Sequence, residues 1–424
     1  MIRKTLIIAG LVTTATSFAV NVSANKKDST YIKKDALPKP ALKLENGFSA
    51  TLVAEGLDGA RHIAVNRFGG IYVKLSKLKD GKGIYYLKDT DGDGTFDKQT
   101  GFGNYPGTGI YIKNGYLYAS SNDDVFRYKL DDKEEVISPN EPEKIIEGLV
   151  NHNRDNSKSI VVDNNNNIYV NVGSYVNACL VEPNSLQAPY PCPVLDSAGG
   201  IWQYKANKPN QHFKDGIRYA TGLKNIVGLD WNSKTNSLFV MQHGRDQLSE
   251  LYPKLFTQEQ NGLLPAETMY ELKKGVDAGW PYAYYDQFQK KKILSPEYGG
   301  DGKKISDKKS ADPIAVFPAH LAPNGLLFYT GNNFPAKYKN GAFIAFHGKS
   351  PELSKGYLVA FVPFKNAKPS GEWKVFADDF AGEGYATSGK APQHKPCGLA
   401  QGPDGALYIA DDAGGTIYRI QYNK

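Results

Sequence analysis

The sequence predicts an all-β fold, a six-bladed β-propeller with loop insertions at the mouth of its channel. One pattern recurs along the chain: an apolar strand, a turn rich in Asn, Asp or Gly, and a second strand that ends in small or polar residues. Its six copies are RHIAVNRFGGIYVKL, TGIYIKNGYLYASS, KSIVVDNNNNIYVNVG, NIVGLDWNSKTNSLFVMQHG, NGLLFYTG with NGAFIAFHG, and CGLAQGPDGALYIADD. β-Branched and aromatic residues on both sides of such turns are typical of hairpins. Further strands such as GIYYLKD and GTIYRIQY follow most copies, so each repeat predicts one four-stranded blade.

The chain divides into an N-terminal leader and one propeller domain. Residues 1–24 combine Arg3 and Lys4 with an apolar stretch and small residues before Asn25, a pattern typical of a signal peptide. Residues 25–46 are polar and are predicted to be a flexible lead. Residues 47–424 form the propeller, and FSATLVAEGL near residue 50 is placed to add a strand to the last blade and close the ring.

Two segments interrupt the repeats, residues 175–200 and residues 250–312. Long insertions in a propeller shape the channel mouth. The first insertion holds Cys179 and Cys192, which we expect to form a disulfide in an exported protein. Cys397 is then left as a buried apolar residue.

Composition excludes some functions. The 424-residue chain has a net charge of +7 that comes from scattered lysines. Because these lysines form no long basic stripe, we expect no nucleic-acid partner.

Residues just before the six hairpins are expected to meet in one funnel, because the innermost strand of every blade begins near the axis. They are Arg61, His62, Thr108, residues 155–158, Lys224, Asn225, His320, Asn324, His394 and Lys395. This basic and polar set suits an anionic, oxygen-rich ligand. It would equally suit a solvated channel rim.

Several longer segments carry a family resemblance: NNIYVNVGSYVNAC, RYATGLKNIVGLDW, FVMQHGRDQL, DAGWPYAYYD, PEYGGDGK and GPDGALYIADD. With them, the chain from about residue 47 to residue 421 resembles the pyrroloquinoline quinone (PQQ)-dependent sugar dehydrogenases of the glucose/sorbosone dehydrogenase group. The resemblance implies a six-bladed propeller with PQQ at the channel mouth and Ca²⁺ bridging protein and quinone. It also implies hydride transfer from a sugar or small aldehyde to the quinone, with a histidine removing the proton.

The resemblance assigns site residues by position. Lys224 and Asn225 match a cofactor-facing Arg-Asn pair, and lysine keeps the charge without bidentate recognition of carboxylates. Lys158 and Lys395 match further basic positions that face the cofactor. Gly244 and Arg245 match the place where backbone carbonyls hold Ca²⁺, ligands that suit this cation. His243 lies beside that turn and completes the set expected to bind the cofactor.

The catalytic base is where the sequence departs from the family. The family histidine lies three or four residues before the basic residue of blade three, and in NHNRDNSKSIVVD those places hold Asp155 and Arg154. Either His152 reaches in through a shifted loop, or Asp155 replaces it, or the chemistry is lost.

The stretch KDTDGDGTFDK at residues 88–98 has two interpretations. Counted from Asp89, it supplies Asp91, Asp93, Gly94 and Asp97 at positions of a Ca²⁺ loop, but Thr100 stands where a bidentate Glu is expected. The flanks are strands, and Asp-Gly pairs also make good hairpin turns. A metal site of Asp89, Asp91, Asp93 and Asp97 and a plain turn therefore both remain open, and such an ion would be peripheral.

The sequence thus predicts a periplasmic or secreted quinoprotein oxidoreductase that acts on a sugar or small aldehyde. Its partners would be an external electron acceptor, either soluble or in a membrane, and it would be a monomer or a homodimer. Two rivals remain: a metal-dependent lactonase on the same architecture, and a propeller that binds a ligand or acts as a scaffold without turnover.

Overall fold

The computed structural model describes residues 37, 40–182, 185–353, 355–382, 385 and 390–423. The predicted signal peptide, residues 1–24, lies outside these residues. The predicted lead, residues 25–46, is described only from residue 37 onward, and it ends in a short strand, Lys43–Leu44.

Strands dominate the described part of the chain. In chain order they are β1 Lys43–Leu44, β2 Phe48–Ala54, β3 Ala60–Val65, β4 Ile71–Lys79, β5 Lys82–Lys88, β6 Lys98–Phe102, β7 Ile110–Lys113, β8 Tyr116–Ser120, β9 Val125–Lys129, β10 Glu143–Glu147, β11 Ile160–Val162, β12 Asn167–Val172, β13 Gly200–Lys205, β14 Gln211–His212, β15 Ile217–Thr221, β16 Ile226–Asn232, β17 Ser237–Gln242, β18 Glu267–Leu272, β19 Val276–Asp277, β20 Ala283–Asp286, β21 Lys291–Leu294, β22 Ala315–Phe317, β23 Pro323–Phe328, β24 Ala342–Ser350, β25 Lys355–Val362, β26 Phe364–Lys365, β27 Lys368–Pro369, β28 Lys374–Asp378, β29 Pro396–Gln401, β30 Leu407–Asp411 and β31 Thr416–Tyr422.

Helices in the described residues are short. They are α1 Leu248–Leu251, α2 Gln258–Leu263 and 3₁₀ turns at Pro193–Asp196, Phe213–Asp215, Pro296–Tyr298, Ala336–Tyr338 and Pro351–Leu353. In this part of the chain, no helix has the length and apolar character needed to cross a bilayer.

The strands build a six-bladed propeller, as the repeats predicted. From the axis outward, the described blades are β3-β4-β5-β6, β7-β8-β9-β10-β14, β11-β12-β13-β15-β19, β16-β17-β18-β22, β23-β24-β25-β28-β1 and β29-β30-β31-β2. The innermost strands β3, β7, β11, β16, β23 and β29 contact one another in that order, and β29 contacts β3. The ring is therefore closed around one channel.

The N-terminal strand β2 completes the last blade. It pairs antiparallel with β31, from Phe48 opposite Tyr422 to Ala54 opposite Ile417. The prediction that the segment near residue 50 closes the ring is thus confirmed. The pairing joins the two ends of the domain and covers the edge of β31, so that β2 is the outer strand of this blade.

Glycines let the innermost strands approach closely. A Cβ atom at Gly398 would lie 2.4 Å from the carbonyl oxygen of Arg61 in the next blade, and one at Gly325 would lie 2.2 Å from that of Cys397. These distances leave no room for a side chain, which explains the glycine in the copies that contain NGLLF and CGLAQ.

The two insertions pack on each other on the channel face. Cys179 and Cys192 form the predicted disulfide, with a Cα–Cα distance of 6.2 Å, and Cys397 is buried and free. The indole N–H of Trp280, in the second insertion, donates to the carbonyl of Asn177 in the first at 3.1 Å. The hairpin β20-β21 belongs to this second insertion.

Candidate functional site

Loops at the starts of the innermost strands meet at one end of the channel, which we call the funnel. Arg61 Nη1 of blade one lies 2.9 Å from Asp412 Oδ2 of blade six. His62 Nε2 lies 2.9 Å from the carbonyl oxygen of Asn324 in blade five. The convergence predicted from the repeats is therefore present.

Asp155 forms the polar centre of the funnel with two residues of blade four. Its carboxylate lies 3.2 Å from Lys224 Nζ and accepts a longer contact of 3.5 Å from the Asn225 amide. Lys224 and Asn225 are both buried. The amide oxygen of Asn225 in turn accepts a hydrogen bond from Asn171 at 3.1 Å. The Lys-Asn pair is thus rigidly held and faces a carboxylate.

The backbone at Asp155 is unusual. Its φ is +44°, in the left-handed region that non-glycine residues rarely adopt. A Cβ atom at Gly173 would lie 2.2 Å from the Asp155 carbonyl oxygen and 2.6 Å from Asn225 Oδ1. Only glycine leaves space for the Asp155 loop to reach Lys224, so the local fold delivers this carboxylate.

His152 lies elsewhere. The side chain is exposed, and its ring centroid is 4.4 Å from that of Tyr175 in the first insertion. Of the two predicted bases, Asp155 is the one whose contacts place it beside Lys224 and Asn225.

Lys158 is fully buried beneath the funnel. Its ammonium donates to the carbonyl of Asn156 at 2.9 Å. Burial lowers the pKa of Lys158 to about 7. Lysine at this place therefore supports the loop that carries Asp155.

The turn at Gly244 and Arg245 has backbone oxygens available for a cation. The Gly244 N–H donates to Glu267 at 2.9 Å, while the hydrogen bonds of the described residues include none to the carbonyl oxygen of Gly244 or Arg245. The Arg245 side chain is paired with Glu297: its Nη1 lies 2.5 and 2.7 Å from the two carboxylate oxygens. Arg245 was expected to bind the cofactor, and its guanidinium instead anchors the second insertion.

Glu267 was missed by the sequence analysis. It is buried at the start of β18 and also accepts the Ala322 N–H at 3.2 Å. Burial raises the pKa of Glu267 to about 7, against the lowering effect of the hydrogen bonds from Gly244 and Ala322. The residue fixes the turn at Gly244 through this hydrogen bond. Its only sequence signal is a carboxylate at the start of the strand ETMYEL.

His243 presents an unpartnered nitrogen. Its Nε2 is buried and finds no hydrogen-bond partner among the described residues. Burial, reinforced by the charge of Lys224, lowers the pKa of His243 to about 4. The imidazole is therefore neutral at physiological pH.

Acidic residues of blade six hold two further histidines at the funnel. His347 Nε2 lies 2.7 Å from Asp412 Oδ1, and His394 Nδ1 lies 2.6 Å from Asp411 Oδ2. The backbone N–H of Lys395 donates to Asp411 at 2.7 Å. Asp411 and Asp412 were not predicted, although the segment ALYIADD ends in them, with Asp411 the last residue of β30. Their negative charges offset the positive charges of the basic residues from which the funnel was predicted.

Asp246 lies between Lys224 of blade four and His320, which precedes the first strand of blade five. Its carboxylate lies 4.0 Å from Lys224 Nζ and 3.4 Å from His320 Nδ1. The neighbouring carboxylates and lysine thus form one chain of charges across blades three, four and five. Such a chain can bind an ionic, oxygen-rich ligand in a defined orientation.

The stretch KDTDGDGTFDK lies away from the funnel, in the turn between β5 and β6. Carboxylate oxygens of Asp89, Asp91 and Asp97 lie within 4.8 Å of one another, and Asp93 is not in this group. The Asp89 oxygens accept hydrogen bonds from the Gly92 and Gly94 N–H groups at 2.7 and 2.9 Å. The carboxylates therefore stabilise the turn, and Ca²⁺ binding here stays a prediction.

Comparison with known proteins agrees with the architecture. A family model described as TrAA12-like matches residues 42–423. The PQQ-dependent sugar dehydrogenase of Hypocrea jecorina is 23% identical over 434 residues, 95% of this chain and 93% of the relative. An uncharacterized protein of Borreliella burgdorferi is 30% identical over 207 residues, which is 48% of each chain. The match thus spans about half the length of that second relative.

Two solved structures share the fold. The calcium structure of a Trichoderma reesei carbohydrate-active enzyme of family AA12 has a TM-score of 0.72 and 20% identity, and it covers 91% of this chain and 98% of its own. The holo PQQ domain of pyranose dehydrogenase from Coprinopsis cinerea has a TM-score of 0.71, 19% identity and the same coverage. The resemblance predicted from the sequence motifs is confirmed.

Proposed function

Because the chain belongs to the TrAA12-like family, we propose that it is a quinoprotein oxidoreductase that oxidises a sugar or a small aldehyde by hydride transfer to PQQ, with Ca²⁺ at the same site. The relative from Hypocrea jecorina is named as a PQQ-dependent sugar dehydrogenase. The observation that carries the proposal is the contact of Asp155 with Lys224 and Asn225. The Lys224 ammonium also lies 4.0 Å from the carboxylate of Asp246, the residue that follows Arg245.

The residues present fit an anionic quinone and a hard cation. Lys224 and Asn225 supply donors for carboxylate and carbonyl oxygens. The Asn324 Oδ1 and His243 Nε2 atoms are buried without partners among the described residues, and an unsatisfied buried polar atom is costly unless a ligand completes it. Carbonyl oxygens suit Ca²⁺ as ligands.

Lys224, Asn225 and Lys395 would hold the quinone, and the carbonyls of Gly244 and Arg245 would hold Ca²⁺. When bound, the quinone supplies the acceptor for the substrate's hydride. Asp155 would take the proton from the substrate hydroxyl as the C–H bond breaks. Lys224, whose Nζ lies 3.2 Å from this carboxylate, orients it toward the substrate. The Glu267 contact to Gly244 keeps the turn in place.

A titration of the purified protein with PQQ, with and without Ca²⁺, tests the proposal. We expect Ca²⁺-dependent binding by calorimetry and dye reduction with at least one aldose. Lys224→Met should abolish binding, while Lys273→Met, at an exposed lysine, should leave it unchanged. Absence of PQQ binding in the wild type would contradict the proposal and favour a non-catalytic ligand-binding propeller.

We also propose that the protein acts in the periplasm or outside the cell, as a monomer or a homodimer, and passes electrons to an external acceptor. The disulfide of Cys179 and Cys192 supports an oxidising compartment, and residues 1–24 have the pattern of a signal peptide. Fractionation of the source cells followed by N-terminal sequencing checks this, and retention of residues 1–24 in a cytoplasmic product would contradict it.

A further inference from the structure

A cavity of about 560 Å³ opens among blades one, two and six. It is lined by hairpin turns such as those at Phe68 and Gly69, between β3 and β4, and at Pro403 and Asp404, between β29 and β30. Because each innermost strand starts at the funnel, the turn that follows it lies on the opposite face. The cavity is therefore separate from the candidate active site, and its volume is in the range of small-molecule sites, roughly 300–1,000 Å³.

An exposed aromatic ring lies at the rim of the cavity. The Phe68 side chain is 60% exposed, and the Arg67 guanidinium lies 5.0 Å from its ring centroid. Tyr86, Phe96 and Tyr408 contribute further aromatic surface to the wall. Aromatic rings offer a flat apolar face to a ligand, and Tyr adds a polar edge.

The cavity wall carries equal numbers of cationic and anionic side chains. Its cations are Lys88, Lys133 and Arg419, and its anions are Asp89, Glu135 and Asp404. Lys88 Nζ lies 2.7 Å from Glu135 Oε1, and Arg419 Nε lies 3.1 Å from Asp404 Oδ2. Each paired group keeps further donor or acceptor capacity, so the wall offers many hydrogen bonds without a net charge.

Open backbone adds to the accessible surface. No atom lies within 4 Å of the place where a Cβ would stand at Gly69, Gly92 or Gly94, all of which line the cavity. The space beside these three glycines is empty, although their N–H groups already donate to Asn66 and Asp89. A ligand rich in hydroxyl groups can approach them closely.

We propose that this cleft binds a neutral saccharide of a few sugar units. Sugar rings have apolar C–H faces that suit the exposed Phe68, and hydroxyl groups that both donate and accept hydrogen bonds. A charged ligand would meet equal numbers of like and opposite charges and would gain no net attraction. The site is distinct from the funnel and does not depend on PQQ.

The test is calorimetric titration of the full protein, without PQQ or Ca²⁺, with the neutral trisaccharides cellotriose and maltotriose. We expect saturable binding of at least one of them, with Phe68→Ala weakening it roughly threefold to tenfold, as expected for loss of an aromatic contact. Phe288→Ala is the matched control, because that ring is 58% exposed but lies in the insertion on the funnel face. Lys224→Met, in the funnel, should also bind normally.

Hydrogen exchange locates the ligand. Binding should protect residues 66–70 and 88–97 and leave residues 153–158 and 243–246 unchanged. The proposal is overturned if no trisaccharide binds, if protection appears only in the funnel, or if Phe288→Ala weakens binding as much as Phe68→Ala. Tighter binding of a galacturonic acid trisaccharide than of the neutral ones would overturn the assignment to a neutral ligand.

Discussion

Asp155 reaches the funnel because of two residues that are distant in sequence. Gly173 leaves the space that its loop needs, and Lys224 provides the ammonium that its carboxylate contacts. His152, three residues earlier in the same loop, packs against Tyr175 instead. Two residues only three positions apart therefore differ in role: Asp155 is a candidate base, whereas His152 is a surface residue.

The variant Asp155→Asn should lose about 10²–10⁴-fold in kcat of dye-linked sugar oxidation, the usual contribution of a general base. The amide keeps the size of the side chain but is a far weaker base. PQQ affinity, measured separately by calorimetry, should change little. His152→Ala should keep wild-type activity, and equal activity in the two variants would reject Asp155 as the base.

Because Lys158 is buried, we expect the stability of the protein to depend on pH. Its pKa is lowered by burial to about 7 in the folded protein, against about 10.4 in an unfolded chain. Between these values the unfolded state binds more protons, so this residue makes the free energy of unfolding rise with pH. Below about pH 7, Lys158 is protonated in both states, and the full free-energy cost of burying its charge is present.

The variant Lys158→Met should therefore gain stability relative to wild type at about pH 6.5, on the order of 3 kcal/mol, and lose most of this advantage by about pH 10. Urea unfolding at several pH values measures the difference. Lys273→Met, at an exposed site, should show no such trend. An advantage of Lys158→Met that is constant with pH would contradict the assignment.

At the scale of elements, one buried ion pair fixes the second insertion to blade four. Arg245 follows the turn at Gly244, and Glu297 belongs to the 3₁₀ turn Pro296–Tyr298. Both side chains are almost completely buried. A buried pair is weak evidence for stability, but removing one partner leaves an uncompensated charge.

Glu297→Gln should lower the free energy of unfolding by about 3–5 kcal/mol. Because the pair sits under the insertion, residues 250–312 should also become more sensitive to limited proteolysis. Asp58→Asn is the control, since the Asp58–Lys77 pair at 3.7 Å is well exposed and such pairs contribute little. If the two variants have the same midpoint of unfolding, the anchoring role is wrong.

At the scale of the whole molecule, the strand β2 makes the six blades one closed ring. Its pairing with β31 joins residues more than 350 positions apart, such as Thr51 and Arg419, whose separation is 368 residues. Cooperative unfolding of the propeller should depend on this closure, because each blade buries its faces only against neighbours.

Val53→Asp tests the closure. Val53 is 1% exposed in β2, so an unpaired carboxylate there should cost more than about 4 kcal/mol. Thermal unfolding should shift to lower temperature and broaden as blades one and six separate. Thr51→Asp, at an exposed position of the same strand, should unfold like the wild type, and a normal transition in Val53→Asp would show that closure is dispensable.

The sequence by itself determined the hairpins, the number of blades, the closing role of the segment near residue 50 and the Cys179–Cys192 bridge. These features follow from local patterns, namely period-2 alternation, turn residues and short spacing. Only the tertiary structure decided that Asp155 rather than His152 meets Lys224, that Arg245 is committed to Glu297, and that Asp411, Asp412 and Glu267 belong to the funnel. Those contacts join loops of different blades, and their distances depend on backbone conformations and blade spacing that no local pattern encodes.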